Sequence, residues 1–213
     1  MGAEKRPNAI TPPEPTRRLF FALWPDEAMR HAMAQAIRKA ARGSGGRPVP
    51  AGNLHVTMAF LGSVPQRRLS EIAEIARAAA LRPDPASGNA PQGLAGSFGE
   101  SAGSPGDRLV ITFDHLEYWR QAQLLCVLPA EPPAPMAALA RRAQDLLVTA
   151  GFAPDLKPFR PHVTVVRKVS RPGPIARMHP VVWTFMELAL VESRTLPEGP
   201  LYSVVESYPL ASA

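Results

Sequence analysis

Residues 53–62 read NLHVTMAFLG, and this short run predicts a β-strand with two different faces. Side chains alternate between the faces of an extended strand. His55 and Thr57 therefore point to one face, while the apolar residues that alternate with them, from Leu54 to Phe60, point to the core. The strand carries an imidazole beside a hydroxyl on the face that is not used for packing.

The pattern returns at residues 160–168, RPHVTVVRK, where His162 and Thr164 again share one face. A threonine in a strand usually reflects β propensity alone, and a lone strand histidine is more often structural than catalytic. Two His-Val-Thr triplets among only five histidines reverse that expectation. The repeated motif therefore favours a functional site.

Composition limits the class of protein before any site is considered. The 213 residues are 46% hydrophobic, which is enough for one sizeable core. The net charge of +6 and the pI near 10.1 favour an anionic partner such as RNA or a phosphorylated small molecule. The single cysteine, Cys126, excludes an intrachain disulfide and is expected to be buried. With no signal-peptide pattern and no apolar stretch of about 18 residues, we expect a cytoplasmic protein without a membrane span.

Two regions are poor in large apolar residues. Residues 1–16 hold four prolines and are predicted to form a disordered tail, and residues 82–107 are rich in Pro, Gly and Ser and are predicted to form a long mobile loop. Strands are predicted near residues 18–23, 109–119, 122–130, 181–193 and 201–208. Helices are predicted after the N-cap Asp26, over residues 65–81, and over residues 135–150, where Gly151 ends the helix. A linker is predicted over residues 171–180.

The order of elements contains an internal repeat. The sequence RLFFALWP, a helix and NLHVT in the first half correspond to QLLCVLPA, a helix and RPHVT in the second half. A duplicated strand–helix–strand unit places equivalent strands about a pseudo-two-fold axis. The two histidines of the repeated motif are therefore expected to face each other across a central cleft.

These motifs, together with the final pair of strands, resemble the two-histidine phosphoesterase superfamily. More narrowly, they resemble its RNA 2′,3′-cyclic phosphodiesterases, also called 2′-5′ RNA ligases. The resemblance covers residues 17–210 and implies a single bilobal α+β domain, a duplicated fold in which two antiparallel sheets flank a central cleft with helices on the outside. Each lobe would supply one histidine motif. The length of residues 82–107 and the presence of Cys126, where a bulky aromatic is more usual, depart from the family without touching the motifs.

Opening a 2′,3′-cyclic phosphate requires a base to activate water, an acid to protonate the leaving ribose oxygen, and donors to hold the phosphate. Two histidines with pKa values near neutrality supply the first two functions without a metal or another cofactor. The resemblance implies that His55 is the general acid and His162 the general base, and that the product is a 2′-phosphate. The repeat makes the two positions nearly equivalent, so the sequence leaves this assignment open.

Further residues are predicted to bind the substrate. Thr57 and Thr164 lie on the histidine faces, where their hydroxyls can donate to the phosphate. Arg167 can grip a phosphate oxygen, but strict alternation puts it on the wrong face unless a bulge or a strand end occurs near Val166. Arg160 lies on the same face as His162 by strict alternation. It is a weaker candidate than Arg167, because Pro161 makes the local backbone geometry harder to predict.

Two aromatic residues, Phe20 and Tyr202, are predicted to stack on a base, although filling the core is an equal alternative for Phe20. His31, His115 and His179 lack a comparable motif and are interpreted as surface or packing residues.

Several functions remain open on the sequence. The same site could join RNA ends into a 2′-5′ linkage or cleave such linkages, and a non-catalytic RNA-binding module is an alternative from another class. A metal-dependent phosphoesterase is disfavoured because no carboxylate–histidine cluster has ligand spacing. Our first prediction is a monomeric hydrolase that acts on RNA with a 2′,3′-cyclic phosphate end or on a 2′,3′-cyclic nucleotide.

Overall fold

The chain forms two antiparallel β-sheets with helices in a computed structural model, which describes residues 14–82, 108–172, 177–197 and 199–212. The α-helices are α1 (Glu27–Gly43), α2 (Leu69–Ala80) and α3 (Ala134–Thr149). The strands are β1 (Thr16–Leu23), β2 (Arg47–Pro48), β3 (Val56–Pro65), β4 (Leu81–Arg82), β5 (Leu109–Trp119), β6 (Leu124–Leu128), β7 (Val163–Arg167), β8 (Arg177–Phe185), β9 (Glu187–Leu196), β10 (Gly199–Pro209) and β11 (Ala211–Ser212).

One sheet has the strand order β10–β9–β1–β3, and the other has the order β2–β7–β6–β5–β8. All neighbours within these two sheets are antiparallel, while β11 and β4 form a separate short parallel pair. The predicted α+β class with two antiparallel sheets is therefore confirmed.

The internal repeat is visible in the sheet topology. In the first sheet β1 lies beside β3, the two strands that flank α1 in the sequence. In the second sheet β6 lies beside β7, and these strands flank α3 in the same way. The outer neighbours also correspond, because β9 pairs with β1 as β5 pairs with β6. Each histidine motif thus enters an equivalent strand of its sheet.

The helices and both sheets share one continuous cluster of buried apolar side chains. Trp183 of β8 is fully buried, and its Nε1–H donates to the carbonyl of Met29 at 2.9 Å, which ties α1 to the second sheet. Arg142 of α3 donates from Nε and Nη2 to the carbonyl of Ala79 in α2, at 3.0 and 2.8 Å. The two sheets are therefore held together by a common core.

The predicted ends of two helices agree with the structure. The side chain of Asp26 accepts a hydrogen bond from Met29 N at 2.7 Å, as an N-cap residue should. Gly151 follows α3 with φ of +82°, a left-handed conformation that favours glycine at a helix end. The predicted helix over residues 65–81 is shorter, because a 3₁₀ turn at Gln66–Arg68 precedes α2.

The predicted single strand over residues 181–193 is wrong, because two strands of different sheets occupy it. β8 pairs with β5, and β9 pairs with β1, with the break at Met186. The carbonyl of Met186 accepts from Leu210 N at 2.7 Å instead of joining a ladder. The sequence VVWTFMELALV, which is mostly apolar on both sides of Met186, conceals this change of sheet. The predicted linker over residues 171–180 also ends early, because β8 begins at Arg177 and includes an exposed His179.

The predicted tail over residues 1–16 lies outside the described residues up to position 13, and β1 already begins at Thr16. The predicted loop over residues 82–107 lies outside them from position 83. Among the residues that the structure describes, no helix is long and apolar enough to span a membrane.

Candidate active site

His55 immediately precedes β3, and its ring is fixed by hydrogen bonds at both nitrogens. Nδ1 lies 2.7 Å from the carbonyl oxygen of Asn53, which accepts a hydrogen bond from this nitrogen. Nε2 lies 3.1 Å from Oγ1 of Thr57. Because a carbonyl can only accept, the neutral ring carries its proton on Nδ1 and presents Nε2 as the basic nitrogen.

Three aromatic rings surround His55. Trp24 stacks on it with an interplanar angle of 18° and a centroid distance of 5.4 Å. Phe20 lies 5.0 Å away in a tilted arrangement, and Tyr202 meets the imidazole edge-on at 5.1 Å. These contacts hold the ring in one orientation and exclude water from its faces.

His162 immediately precedes β7 and repeats the backbone contact. Its Nδ1 lies 2.8 Å from the carbonyl of Arg160, so Nε2 is again the basic nitrogen of the neutral ring. Trp119 packs on the imidazole at 4.4 Å. The Arg160 guanidinium lies over Trp119 at 5.3 Å and donates to Glu117 at 2.7 Å. Arg160 thus orients His162 through its backbone and supports the neighbouring indole through its side chain.

Both histidines line one cavity of about 220 Å³. All seven residues predicted for the site lie on its wall, namely Phe20, His55, Thr57, His162, Thr164, Arg167 and Tyr202. Other lining residues include Arg18, Val49, Asn53, Phe60 and Leu124. The repeated strands therefore bring two imidazoles, two hydroxyls and a guanidinium to a single opening.

A β-bulge in β3 changes which face each side chain occupies. Met58 has no partner in β1, whereas Thr57 and Ala59 on either side of it are paired. Met58 and Ala59 are both buried, so the alternation shifts by one residue. Phe60 is consequently 58% exposed and lines the cavity. The prediction that Phe60 belongs to the core face is wrong for this reason.

A second bulge, in β7, resolves the parity problem of Arg167. Val165 lies between the paired residues Thr164 and Val166 but has no partner in β6. Val165 and Val166 are both fully buried, and Arg167 returns to the face of Thr164. Its Nη2 donates to the hydroxyl of Tyr202 at 3.4 Å. Arg167 therefore reaches the cavity by the bulge that strict alternation required.

The two aromatic residues predicted to stack on a base have different surroundings. Phe20 is only 2% exposed, and the rings of His55, Phe60 and Tyr202 pack around it. A base has no access to its faces, so Phe20 supports the neighbouring rings. Tyr202 is half-buried at the cavity wall. Phe60 is the more accessible aromatic surface.

Burial lowers the pKa of both imidazoles. The pKa of His55 falls to about 4, because desolvation, Arg167 and His162 outweigh the hydrogen bond to the Asn53 carbonyl. Desolvation also lowers the pKa of His162, and the charges of Arg160 and Arg167 add to this effect. The hydrogen bond to the Arg160 carbonyl and the charge of Glu117 act in the opposite direction. Both rings are therefore neutral near pH 7 in the free protein.

Three residues that support the site, Trp24, Asn53 and Trp119, were not among those predicted from the sequence. Trp24 and Trp119 each support one of the histidines, and both stand at the end of a predicted strand, the only signal the sequence offers. Asn53 donates from its side chain to the carbonyl of Pro200 at 2.8 Å, which links the start of β3 to β10.

The remaining predicted residues lie elsewhere. His31 and His115 are exposed, and His31 contacts Gln35 at 2.7 Å. Cys126 is fully buried, as expected, and burial raises the pKa of its thiol to about 12.

In the part of the chain that the structure describes, no group of three His, Cys, Asp or Glu side chains is placed to hold a metal ion.

Known proteins share both sequence and fold with this chain. The family model described as LigT like Phosphoesterase matches residues 23–88. A Thermus thermophilus protein named RNA 2′,3′-cyclic phosphodiesterase is 27% identical over 198 residues, covering 91% of this chain and 90% of the relative. An Escherichia coli protein of the same name is 29% identical over 154 residues, covering 72% of this chain and 73% of the relative.

The crystal structure of Escherichia coli LigT complexed with 3′-AMP superposes with a TM-score of 0.74. It is 22% identical and covers 92% of this chain and 99% of its own, so the likeness is one of fold. The chain is thus similar in sequence to proteins named RNA 2′,3′-cyclic phosphodiesterase, matches the LigT-like phosphoesterase model over residues 23–88, and shares the fold of LigT.

Proposed function

We propose that this protein hydrolyses RNA or nucleoside 2′,3′-cyclic phosphates to 2′-phosphates by acid–base catalysis with His55 and His162. The observation that carries the proposal is the convergence of both imidazoles on one cavity, each with Nδ1 bound to a backbone carbonyl. Both rings thereby present Nε2 to a shared substrate. The names of the relatives, RNA 2′,3′-cyclic phosphodiesterase, support the same reaction.

In the proposed reaction water attacks phosphorus while one imidazole accepts its proton. The bond from phosphorus to the 3′ oxygen breaks, and the other imidazolium donates a proton to that oxygen. The products are a 2′-phosphate and a free 3′-hydroxyl. As the family resemblance implies, His162 is the base and His55 the acid.

The hydroxyls of Thr57 and Thr164 and the guanidinium of Arg167 are placed to bind the non-bridging phosphate oxygens. These donors stabilise the negative charge that grows on phosphate oxygen as water adds. The Arg167 guanidinium suits a phosphate because its fixed fork of N–H donors matches two oxygens.

His55 must be protonated before it can act as the general acid, and substrate binding favours that protonation. The pKa of His55 is about 4 in the free protein, so this imidazole is largely unprotonated near pH 7. A bound phosphate monoanion raises that pKa by its charge and lets the ring take up a proton. Protonation is thus coupled to substrate binding. Within the proposal the protein acts as a monomer in the cytosol on an RNA or nucleotide substrate.

The test is turnover of a 2′,3′-cyclic nucleotide by purified protein in EDTA, with the product isomer identified by phosphorus NMR. We expect metal-independent formation of the 2′-phosphate. His55→Ala and His162→Ala should each lower kcat by about 10² to 10⁴-fold, the usual contribution of a general acid or base. His31→Ala is the matched control, since His31 is exposed on α1.

Full activity in His55→Ala or in His162→Ala contradicts the mechanism, and so does a requirement for added metal. Offering a 5′-hydroxyl RNA in the same assay tests the reverse direction, since a 2′-5′ linked product would identify a ligase.

A further inference from the structure

An arginine pair lies across the short strand at the edge of the second sheet. β2 pairs with β7 so that Arg47 stands directly opposite Arg167. Residues that face each other in an antiparallel pair project from the same side of the sheet. Val49 follows Arg47 by two residues and lines the cavity, as Arg167 does. Both relations place Arg47 on the cavity side, although it lies outside the cavity lining.

This pairing does not stabilise the sheet. Like charges directly opposite each other are unfavourable. Within the described residues, Arg47 forms no ion pair, and the side-chain partner of Arg167 is the neutral hydroxyl of Tyr202. Residues 44–49 and 167–171 contain no carboxylate. The two guanidiniums therefore lack a counter-charge from either segment.

The two segments are bound tightly to each other. The carbonyl of Ser44 accepts from Ser170 N at 3.2 Å and from Arg171 N at 2.9 Å, and Ser170 Oγ donates to the Gly45 carbonyl at 3.1 Å. A Cβ on Gly46 would lie 2.7 Å from the Arg167 carbonyl oxygen, so only glycine allows this approach. The backbone under the arginines is therefore rigid.

Four cations lie on this rigid segment pair. We call Arg47, Arg167, Lys168 and Arg171 the basic rim; all but Arg167 are exposed. The cavity that the rim borders, at about 220 Å³, is small, so a strand beyond the terminal nucleotide must leave over an edge of the opening. A fixed row of cations without counter-charges at such an edge suits a regularly spaced polyanion.

We propose that the basic rim binds backbone phosphates of the RNA strand that precedes the reacting nucleotide. This inference rests on the proposed function and deepens it, because it makes an RNA end the preferred substrate over a free cyclic nucleotide. Arg47 contributes affinity for the strand, whereas the chemistry stays in the cavity.

The experiment compares Arg47→Gln with Arg141→Gln, which removes the same charge from the exposed surface of α3. Fluorescence anisotropy measures binding of a short single-stranded RNA that ends in a 3′-phosphate, which needs no turnover. Arg47→Gln should weaken binding about five- to tenfold and reduce the slope of log K against log salt by about 0.7 for each phosphate that the variant no longer neutralises. Arg141→Gln should change neither quantity.

A second assay separates this inference from the proposed function. For an RNA with a 2′,3′-cyclic phosphate end, Arg47→Gln should raise KM several-fold, whereas kcat/KM for a 2′,3′-cyclic mononucleotide should change less than twofold. The proposed role of the basic rim is wrong if Arg47→Gln lowers kcat/KM equally for both substrates. It is also wrong if Arg47→Gln binds the RNA as tightly as Arg141→Gln does. If the wild-type protein hydrolyses neither substrate, the proposed function fails and the anisotropy data still decide the inference.

A stability measurement guards against a misfolded variant. Because Arg47 and Arg167 repel each other without RNA, Arg47→Gln should keep or slightly raise Tm in low-salt buffer. A lower Tm would mean that Arg47 has a structural role and would contradict a rim built for binding.

Discussion

Arg167 acts on both histidines at once, because its charge lowers the pKa of His55 and of His162. It also donates to Tyr202, whose ring packs edge-on against His55. The Arg167 side chain thus influences the pKa of both histidines and also contacts the tyrosine that packs against His55.

Arg167→Met should therefore shift the pH profile of kcat/KM as well as lower its height. Removing the positive charge raises the pKa of both imidazoles, so both limbs of the bell-shaped profile should move to higher pH. We expect a loss of about 10- to 100-fold in kcat/KM from the missing phosphate contact. A profile that falls in height with unmoved limbs would show that Arg167 does not influence the histidines.

Phe60 and Arg167 occupy equivalent positions, each three residues after the threonine of its motif and just beyond a bulge. Each bulge brings its residue to the cavity. The repeat has therefore kept the backbone irregularity while the side chain has diverged into an aromatic surface in one half and a cation in the other. This difference gives the cavity two chemically distinct sides.

At the scale of elements, the segment between α1 and β2 depends on close backbone approach. A Cβ on Gly43, the last residue of α1, would meet nothing within 4 Å, whereas a Cβ on Gly46 would lie 2.7 Å from both a Val166 methyl group and the Arg167 carbonyl oxygen. Two glycines three residues apart are thus under very different constraints.

Gly46→Ala should destabilise the protein, because the added methyl group must push β2 away from β7. We expect a loss of about 1 to 3 kcal/mol in the free energy of unfolding and a fall of roughly 2 to 10 °C in Tm. Gly43→Ala is the matched control and should raise stability by about 0.5 to 1 kcal/mol, since alanine favours the helix. Thermal denaturation monitored by circular dichroism measures both, and equal Tm changes would contradict the tight contact at Gly46.

At the scale of the molecule, the neutral imidazoles couple folding to pH. Both histidines have lower pKa values in the folded protein than the ordinary 6.5, so the unfolded chain binds more protons below that pH. Their contribution to the free energy of unfolding is fully present above pH 6.5 and is lost as the pH falls, for His55 down to about 4.

His55→Gln should flatten this dependence. The wild-type protein should lose up to about 3 kcal/mol more than the variant between pH 7 and pH 4, because each pKa unit corresponds to about 1.4 kcal/mol. Urea denaturation across this range gives the two curves, with the exposed His31→Gln as control. Parallel wild-type and His55→Gln curves would show that His55 titrates normally in the folded protein.

The sequence by itself determined the class of fold, the internal repeat and the pairing of the two His-Val-Thr motifs. Alternation and helix signals are local, so the Asp26 cap, the end of α3 at Gly151 and the turn between β5 and β6 could be predicted without tertiary contacts. Repetition then linked two distant strands that no local rule connects.

Only the tertiary structure decided which side chains face the cavity beyond each threonine. A bulge depends on how the neighbouring strand pairs, so the local sequence did not disclose the exposure of Phe60 or the return of Arg167. The change of sheet at Met186, the indoles under the histidines and the opposition of Arg47 to Arg167 likewise depend on partners far along the chain. Side-chain alternation is a property of one strand, whereas register belongs to a pair, and here register completes the site.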